Sequence, residues 1–343
     1  MKLIGKMLTI AGVAALMSSV DATAQDKDFK YLVDEFADLK IMRYKVHGWE
    51  DLTLKQKEYV YHLAEAAKYG RDIIWMQNCK YNIEIRKVLE NILENYKGDR
   101  SCAEFAAFET YAKRVFFSNG IHHHYAEDKF FPECSQKYFQ KLMKAVGEGK
   151  KCKTLIPVIY DADIFPQRKS TDKTGDIVAE SAVNFYEGVT KAEVEKFYAD
   201  MMDPTDKTPI SYGLNSRVVK GADGVIYEDV YKVGGLYGAA LEKICEELEK
   251  AAAVAENDLQ KSYIADLVAY YRSGDLNLWD EYNIQWVKDT DAVVDFVNGF
   301  VEDYNDPLGR KATWEGLVNF KDAEASRRAE LISDNAQWFE DNS

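Results

Sequence analysis

The segment WVKDTDAVVDFVNGFVEDYNDPLGRKATWEGLVNF, residues 286–320, contains the clearest structural signal in the chain. Its DPLG sequence at Asp306–Gly309 is typical of a type I turn, which favours Pro at the second position and Gly at the fourth. A β-like run, TWEGLVNF, follows this turn, so the segment predicts a β-hairpin. On the first strand of the hairpin, Phe300, Glu302 and Tyr304 are expected to share one face, because side chains alternate along a strand.

Outside this hairpin, the apolar periodicity is mostly helical. Thr53 and Thr190, the latter with Glu193 three residues later, are predicted helix N-caps. The predicted elements are a set of helices between Asp28 and Val146, a strand at Thr154–Asp161, a hairpin around Gly221–Gly224, a long helix at Tyr237–Arg272, a short helix from Asp291 to about Val297, and a helix in the last twenty residues.

About five strands among these helices predict an α+β protein. We expect it to be mostly helical, with a small antiparallel five-strand sheet or a partial β-barrel. The length of 343 residues is enough for a substantial core. We divide the chain into residues 1–24, a helical region at 25–150 and a mixed α+β region at 151–343.

The composition indicates a soluble globular protein, with 47% hydrophobic and 30% charged residues. The net charge of −14 argues against a nucleic-acid partner and against docking on an anionic membrane. Five cysteines occur without a Cys-x-x-Cys pair, and we expect most of them to be buried free thiols.

The first 24 residues have the pattern of a secretory signal peptide. Lys2 and Lys6 precede an apolar run at Met7–Met17, which is too short to span a membrane. The segment closes with Ala22-Thr23-Ala24, a small-x-small cleavage site. We therefore expect cleavage after Ala24 and an exported, periplasmic protein.

Three adjacent histidines, His122–His124, stand in the sequence GIHHHY. On a strand, His122 and His124 would point the same way and could bind zinc as an H-x-H pair. A zinc site also needs further ligands, and only His47 and His62 remain among the histidines. The other interpretation is a polar loop after a helix, lining a pocket, and we predict no metal site in this chain.

The residues alone do not identify a catalytic motif. No His-Glu-x-x-His, Gly-x-Ser-x-Gly, P-loop or Gly-x-Gly-x-x-Gly sequence occurs in the 343 residues. We therefore predict no catalytic residue in this chain.

The segment at residues 286–320 nevertheless resembles the dipeptidyl peptidase III family of zinc exopeptidases, which release dipeptides from the N-terminus of short peptides. The resemblance covers Trp286, the block GFVEDYNDPLG at 299–309 and the block EGLV at 315–318. Weaker matches lie at Asn215-Ser216-Arg217 and at VFFSNGIHHHYAEDKFFP, residues 115–132. The resemblance implies the fold of the substrate-binding lower lobe of that family for residues 25–343.

The resemblance also assigns substrate-binding roles. Glu302 is expected to pair with the free α-ammonium of a peptide, and the hydroxyl of Tyr304 with the peptide backbone. Tyr125 is expected to line a subsite. Val301, next to Glu302 in the block at 299–309, and Trp286 are also expected to contribute to substrate binding. The alternative for Glu302 is that it is a solvated strand residue. Trp286 is expected either to form a wall of the cleft or to lie in the core.

Zinc is expected in the complete family enzyme, bound by a His-Glu-x-x-Gly-His motif and a later Glu. That motif is absent from the 343 residues, so we expect the chain to bind no zinc and to be inactive alone. Three explanations stay open: a fragment, a truncated gene, or one half of a split peptidase whose partner is a separate catalytic zinc lobe. The alternative function is an exported, non-catalytic peptide-binding or scaffold protein. In each case the expected ligands are short peptides with a free N-terminus.

Overall fold

The computed structural model describes residues 29–172 and 174–343. The predicted signal peptide at residues 1–24 lies outside the described residues. Two compact units are present; the described residues of the first are 29–46, and the second comprises residues 47–343. The described part of the first unit is an antiparallel hairpin of strands β1 (Leu32–Phe36) and β2 (Leu39–Met42).

The second unit begins with helices. Two short 3₁₀ helices lie at Trp49–Asp51 and Gly149–Lys151. The α-helices of this region are α1 (Leu54–Tyr69), α2 (Arg71–Asn78), α3 (Asn82–Asn95), α4 (Ala103–Phe117), α5 (Gln136–Ala145), α6 (Cys152–Tyr160) and α7 (Ile177–Glu180). The predicted capping box at Thr53 is confirmed, since its side chain accepts a hydrogen bond from the Gln56 amide and the Gln56 side chain bonds back.

Strands and helices alternate in the rest of the chain. The elements are β3 (Tyr186–Glu187), α8 (Lys191–Met201), β4 (Ser216–Lys220), β5 (Ile226–Val230), α9 (Gly238–Ala253), α10 (Asp258–Ser273), α11 (Leu276–Trp286), β6 (Val294–Glu302), β7 (Thr313–Phe320), α12 (Ala323–Ser333) and α13 (Ala336–Asp341). The predicted α+β class and both predicted hairpins, β4–β5 and β6–β7, are confirmed.

The arrangement of the strands differs from the prediction. The described strands form three separate sheets, β1–β2, β3–β4–β5 and β6–β7, where one five-stranded sheet or partial barrel was expected. One of the pairs, β3 with β4, is parallel. The β3–β4–β5 and β6–β7 sheets each pack against helices, so a single continuous sheet is not required to bury their apolar residues.

Two predicted elements have the wrong secondary structure. The predicted strand at Thr154–Asp161 is helix α6, in which Leu155, Val158 and Ile159 are buried at helical spacing while Pro157 faces solvent. The predicted helix at Asp291–Val297 is instead the start of β6, because residues from Val294 onward pair with β7. In both places tertiary packing outweighs local propensity.

Two predicted long helices are each divided into two. The predicted helix at Tyr237–Arg272 is interrupted between α9 and α10, where the Asn257 side chain accepts a hydrogen bond from the Gln260 amide at 2.8 Å and caps α10. The C-terminal helix is likewise two helices, α12 and α13.

Three apolar clusters stabilise the second unit. The first joins α1, α9, α10 and α11 to the β6–β7 hairpin. The second is formed by α2–α6 and the segment 121–134. The third lies between α8 and the β3–β4–β5 sheet.

Helix α1 and strand β7 touch closely, since a Cβ atom added at Gly316 would lie 2.9 Å from the Cβ of Ala67. In the described part of the chain, we find no helix with the length and apolarity needed to cross a membrane.

Candidate functional site

The connection from β6 to β7 carries Glu302 and Tyr304. A β-bulge lies between Phe300 and Glu302, so the pairing register shifts just before the strand ends. Phe300 is buried, whereas Glu302 and Tyr304 are exposed, Tyr304 to 61%. The prediction that Phe300 shares one face with Glu302 and Tyr304 is therefore wrong. The bulge redirects Glu302 to solvent, and Tyr304 lies beyond the strand.

A buried carboxylate organises this connection. Asp306 Oδ2 accepts hydrogen bonds from the backbone N–H groups of Arg310 and Lys311 and from the Tyr186 hydroxyl, each at 2.8 Å. The Gly309 N–H donates to the Asp306 carbonyl at 3.1 Å, which confirms the predicted Asp306–Gly309 turn. Burial raises the pKa of Asp306, while these donors oppose that rise.

The backbone on both sides of the exposed residues is also fixed. The Thr313 hydroxyl donates to the Glu302 carbonyl at 3.0 Å. The Lys169 ammonium donates to the Tyr304 carbonyl. Glu302 and Tyr304 therefore stand on a backbone segment that is held at each end, with their side chains directed to solvent.

A second carboxylate accompanies Glu302. Glu315 on β7 is partly buried, and burial, followed by the charge of Glu302, raises the pKa of its carboxyl group. Within residues 29–172 and 174–343, no lysine or arginine forms an ion pair with either carboxylate. This end of the hairpin therefore holds two carboxylates that form no ion pair within the described residues, which favours a cationic ligand group.

The GIHHHY sequence forms a loop after α4 that is held by contacts to distant residues. His122 is buried and hydrogen-bonds through Nε2 to the Phe165 carbonyl at 2.9 Å. His123 Nδ1 accepts the Tyr125 and Ala126 N–H groups, each at 3.0 Å. Burial lowers the pKa of His122 to about 4.

The loop at 121–130 and the turn at 303–311 are linked by two consecutive residues. The Arg168 guanidinium forms a bidentate pair with Glu127, with both N–O distances 2.9 Å. Lys169, next in the chain, contacts the Tyr304 carbonyl. Tyr125, which is 85% exposed, and Tyr304 therefore flank the same short segment.

Trp286 lies elsewhere. Its Nε1–H donates to Asp295 Oδ1 at 2.8 Å, and its partly buried ring packs on the apolar cluster of the hairpin. Asp295 and Glu302 are seven residues apart on β6, a separation of about 23 Å. Val301 is adjacent to Glu302 but packs against the same cluster. The structure therefore brings Glu302 and Tyr304 together and places Trp286 at the other end of the strand.

Several residues of this region were not predicted from the sequence: Glu315, Lys169, Arg168 and Glu127. Glu315 lies within the quoted EGLV block, and its closeness to Glu302 follows once the hairpin register is known. The contacts of Arg168 and Lys169 span more than forty residues, and no local sequence pattern signals them.

A zinc ion does not fit the residues present. Among the described residues, no group of three or more His, Cys, Asp or Glu side chains is placed to bind a metal ion. Catalytic zinc sites need three such ligands. All five thiols are unpaired in the structure, and Cys79, Cys134 and Cys245 are buried.

Comparisons with known proteins point to one family. Residues 218–340 match Peptidase family M49. The chain is 24% identical to dipeptidyl peptidase 3 of Dictyostelium discoideum over 84% of this chain and 44% of that protein. It is 21% identical to dipeptidyl peptidase 3 of Homo sapiens over 83% of this chain and 44% of that protein.

A solved structure has the same fold. Dipeptidyl-peptidase III from Corallococcus sp. strain EGB is similar with a TM-score of 0.57 and 19% identity, over 87% of this chain and 44% of that one. The resemblance to this family recognised in the sequence is confirmed, and the chain spans less than half the length of these relatives.

Proposed function

From the similarity to dipeptidyl peptidase III, we propose that this chain is the peptide-binding part of an exopeptidase of that type. In this proposal it binds short peptides by their free N-terminus, and it does not hydrolyse them alone. Glu302 pairs with the α-ammonium group, and the Tyr304 hydroxyl bonds to the peptide backbone. Tyr125 forms part of the same binding surface.

One observation carries the proposal: Glu302 lies near Glu315 across the hairpin, and neither carboxylate forms an ion pair with a lysine or arginine of the described residues. An α-ammonium group placed there would relieve the repulsion between the two carboxylates. It would also form charge-assisted hydrogen bonds, which are stronger than those between neutral groups. An N-acetylated peptide carries no such charge, so recognition at this site depends on the N-terminus.

Competition between free and blocked peptides tests this function. A tetrapeptide and its N-acetylated form are titrated into the wild-type chain by calorimetry or NMR. A charge-assisted contact of about 1.5 kcal/mol predicts roughly ten-fold tighter binding of the free peptide. Glu302→Gln is expected to abolish this preference, whereas Glu281→Gln, which removes an exposed carboxylate on α11, keeps it. Equal binding of both peptides by the wild type would overturn the proposal.

Tyr304 is tested separately because its partner is the peptide backbone. Tyr304→Phe is expected to weaken the free and the acetylated peptide by the same factor, about five-fold for one neutral hydrogen bond. Tyr227→Phe removes the hydroxyl of another half-exposed tyrosine and serves as the control. A loss confined to the free peptide would contradict the role given to Tyr304.

We also propose that catalysis requires a zinc-binding lobe not contained in these residues, supplied by a further part of the protein or by a partner. The apolar side chains of the last two helices support this: Leu331, Ile332 and Trp338 are each more than 60% exposed. In the described chain, no residue of α12 or α13 is buried.

Dipeptidyl-naphthylamide hydrolysis by the purified chain is expected at background. Hydrolysis that persists after repurification and chelation would refute the proposal that catalysis needs a separate zinc-binding lobe. If the chain binds peptides but gains no activity with any added zinc-binding lobe, a non-catalytic binding protein is favoured.

The N-terminal pattern supports export to the periplasm. We expect intact-mass analysis of the protein from a periplasmic extract to show a chain that begins at Gln25. Retention of residues 1–24 in the extracted protein would contradict this part of the proposal.

A further inference from the structure

We propose that Asp306 and Lys311 are positioning residues that hold Glu302 and Tyr304 in their binding geometry by tying the β6–β7 connection to α8, β4 and β5. The effect on ligands rests on the proposed function, whereas the anchoring itself is a property of the free protein.

Lys311 is fully buried, and its side-chain nitrogen is hydrogen-bonded to two hydroxyl groups and a carbonyl. Its ammonium donates to the Gly213 carbonyl and the Ser216 hydroxyl, each at 3.0 Å, and to the Tyr198 hydroxyl. The Ser216 and Tyr198 hydroxyls in turn both donate to Glu228 Oε1 at 2.6 Å. The ammonium lies 3.8 Å from that oxygen, so two hydroxyls connect the opposite charges.

The neighbouring residues reinforce the same attachment. The Arg310 guanidinium lies 4.3 Å from the centre of the Tyr198 ring and donates to the Tyr212 carbonyl at 3.1 Å. The Ala312 N–H donates to the Leu214 carbonyl at 2.9 Å. Three consecutive residues, 310 to 312, therefore contact the segment between α8 and β4. The Asp306 carboxylate binds the N–H groups of the first two and so joins the turn to this attachment.

Net stability does not account for the burial of both Asp306 and Lys311. Two charges are removed from water within a six-residue stretch, and buried ion pairs contribute little net stability compared with apolar residues of similar volume. Their polar contacts do, however, admit only one conformation of the connection. Because Glu302 and Tyr304 lie directly before Asp306, that conformation fixes where their side chains stand.

The test compares Lys311→Met with Arg86→Met. Arg86 is also buried and pairs with Asp72 and Glu90, but it belongs to the helical core at α3. Both variants remove one buried basic side chain. We measure hydrogen exchange at the amides of Leu308, Arg310 and Lys311, or residue 311 of the variant, and the ratio of affinities for the free and acetylated tetrapeptide.

In folded Lys311→Met we expect at least ten-fold faster exchange at these amides and a fall of the affinity ratio from about ten to below three. Arg86→Met is expected to lose stability and to keep both values. If Lys311→Met does not fold, Asp306→Asn, which preserves shape, is expected to change exchange and ratio in the same direction. Unchanged exchange together with an unchanged ratio in the folded variant would overturn the proposal. If the wild type shows no preference for free peptide, the proposed function fails, while the exchange rates still decide whether the anchor exists.

Discussion

Two loops carry the exposed tyrosines of the candidate site, and they are held in different ways. The turn at 303–311 is organised by one of its own carboxylates, because Asp306 accepts N–H groups from Leu308, Arg310 and Lys311. The loop at 121–130 depends on residues some forty positions away, Phe165 and Arg168. The turn of the first loop could be predicted from its sequence, whereas its anchoring and the long-range contacts of the second loop could not.

The difference has an energetic consequence. Removing Asp306 leaves several buried N–H groups of one turn without an acceptor, so the cost falls on the turn itself. Removing Arg168 breaks its contacts with Glu127 and the His124 carbonyl but leaves the hydrogen bonds within the 121–130 loop in place. We therefore expect damage to the turn to be larger and damage to the other loop to be more local.

The largest effect is expected for Asp306→Ala. The N–H groups of Leu308, Arg310 and Lys311 and the Tyr186 hydroxyl lose their acceptor. At about 1 kcal/mol for each group, the low end of the range for an unsatisfied group, the loss of unfolding free energy is about 4 kcal/mol. Urea unfolding measures it, with Asp303→Ala, an exposed carboxylate of the same turn, as the control. A loss below about 1 kcal/mol would mean that the carboxylate does not organise the turn.

Arg168→Met is expected to cost about 3 kcal/mol, because it leaves the mostly buried Glu127 without its bidentate partner. The side chains are only 8% and 20% exposed, so solvent screens the pair weakly. The double variant with Glu127→Gln is expected to recover part of this loss, which a double-mutant cycle measures. If the losses of unfolding free energy in the two single variants add up to the loss in the double variant, the pair does not hold the loop.

The buried His122 makes the stability of the 121–130 loop depend on pH. Burial, followed by the charges of Arg168 and Lys129, lowers its pKa from 6.5 to about 4, although the Phe165 carbonyl opposes this. Below pH 6.5 the unfolded chain gains a proton that the folded chain accepts only near pH 4. Stability is therefore lost as the pH falls through this window, by about 3 kcal/mol in total.

His122→Gln isolates this contribution, since glutamine does not titrate and its amide can still donate to the Phe165 carbonyl. Unfolding free energies of the wild type and the variant are compared between pH 7 and pH 4. As the pH falls, the wild type is expected to lose more unfolding free energy than the variant. Parallel curves would show that the folded protein protonates His122 as easily as the unfolded chain does.

Local sequence signals predicted the elements whose contacts are also local. The Thr53 and Thr190 caps, the hairpin at Gly221–Gly224 and the turn at Asp306 all bond within a few residues, and all are confirmed. The segment at 154–161 was assigned to a strand because its apolar residues are nearly continuous. Its helical burial pattern emerges only from packing in the second apolar cluster.

In the candidate site, too, only the residues with a local sequence signal were predicted. Glu302 and Tyr304 were found through the motif that contains them, whereas the unpaired Glu315 beside Glu302 required the strand register. The bulge after Phe300 is the least predictable feature, since a one-residue change of register reverses the faces of all following side chains. The anchoring by Lys311 was equally hidden, because its four partners lie 83 or more positions earlier in the chain.

The smallest effect is expected at Gly309, and it separates the two ways in which a turn can be stabilised. Gly309 has φ +59°, a conformation that costs other residues about 1 kcal/mol, and a Cβ atom there would meet no other atom within 4 Å. Gly309→Ala should therefore lower the unfolding free energy by about 1 kcal/mol, and Gly309→Asn by about half as much, since Asn tolerates this conformation better. Both variants keep the Asp306 carboxylate and its donors, so amide exchange at Leu308, Arg310 and Lys311 is expected to stay slow. If Gly309→Ala instead matched Asp306→Ala in stability and in exchange, the glycine and not the buried carboxylate would define the turn, and the contrast between the two loops would lose its physical basis.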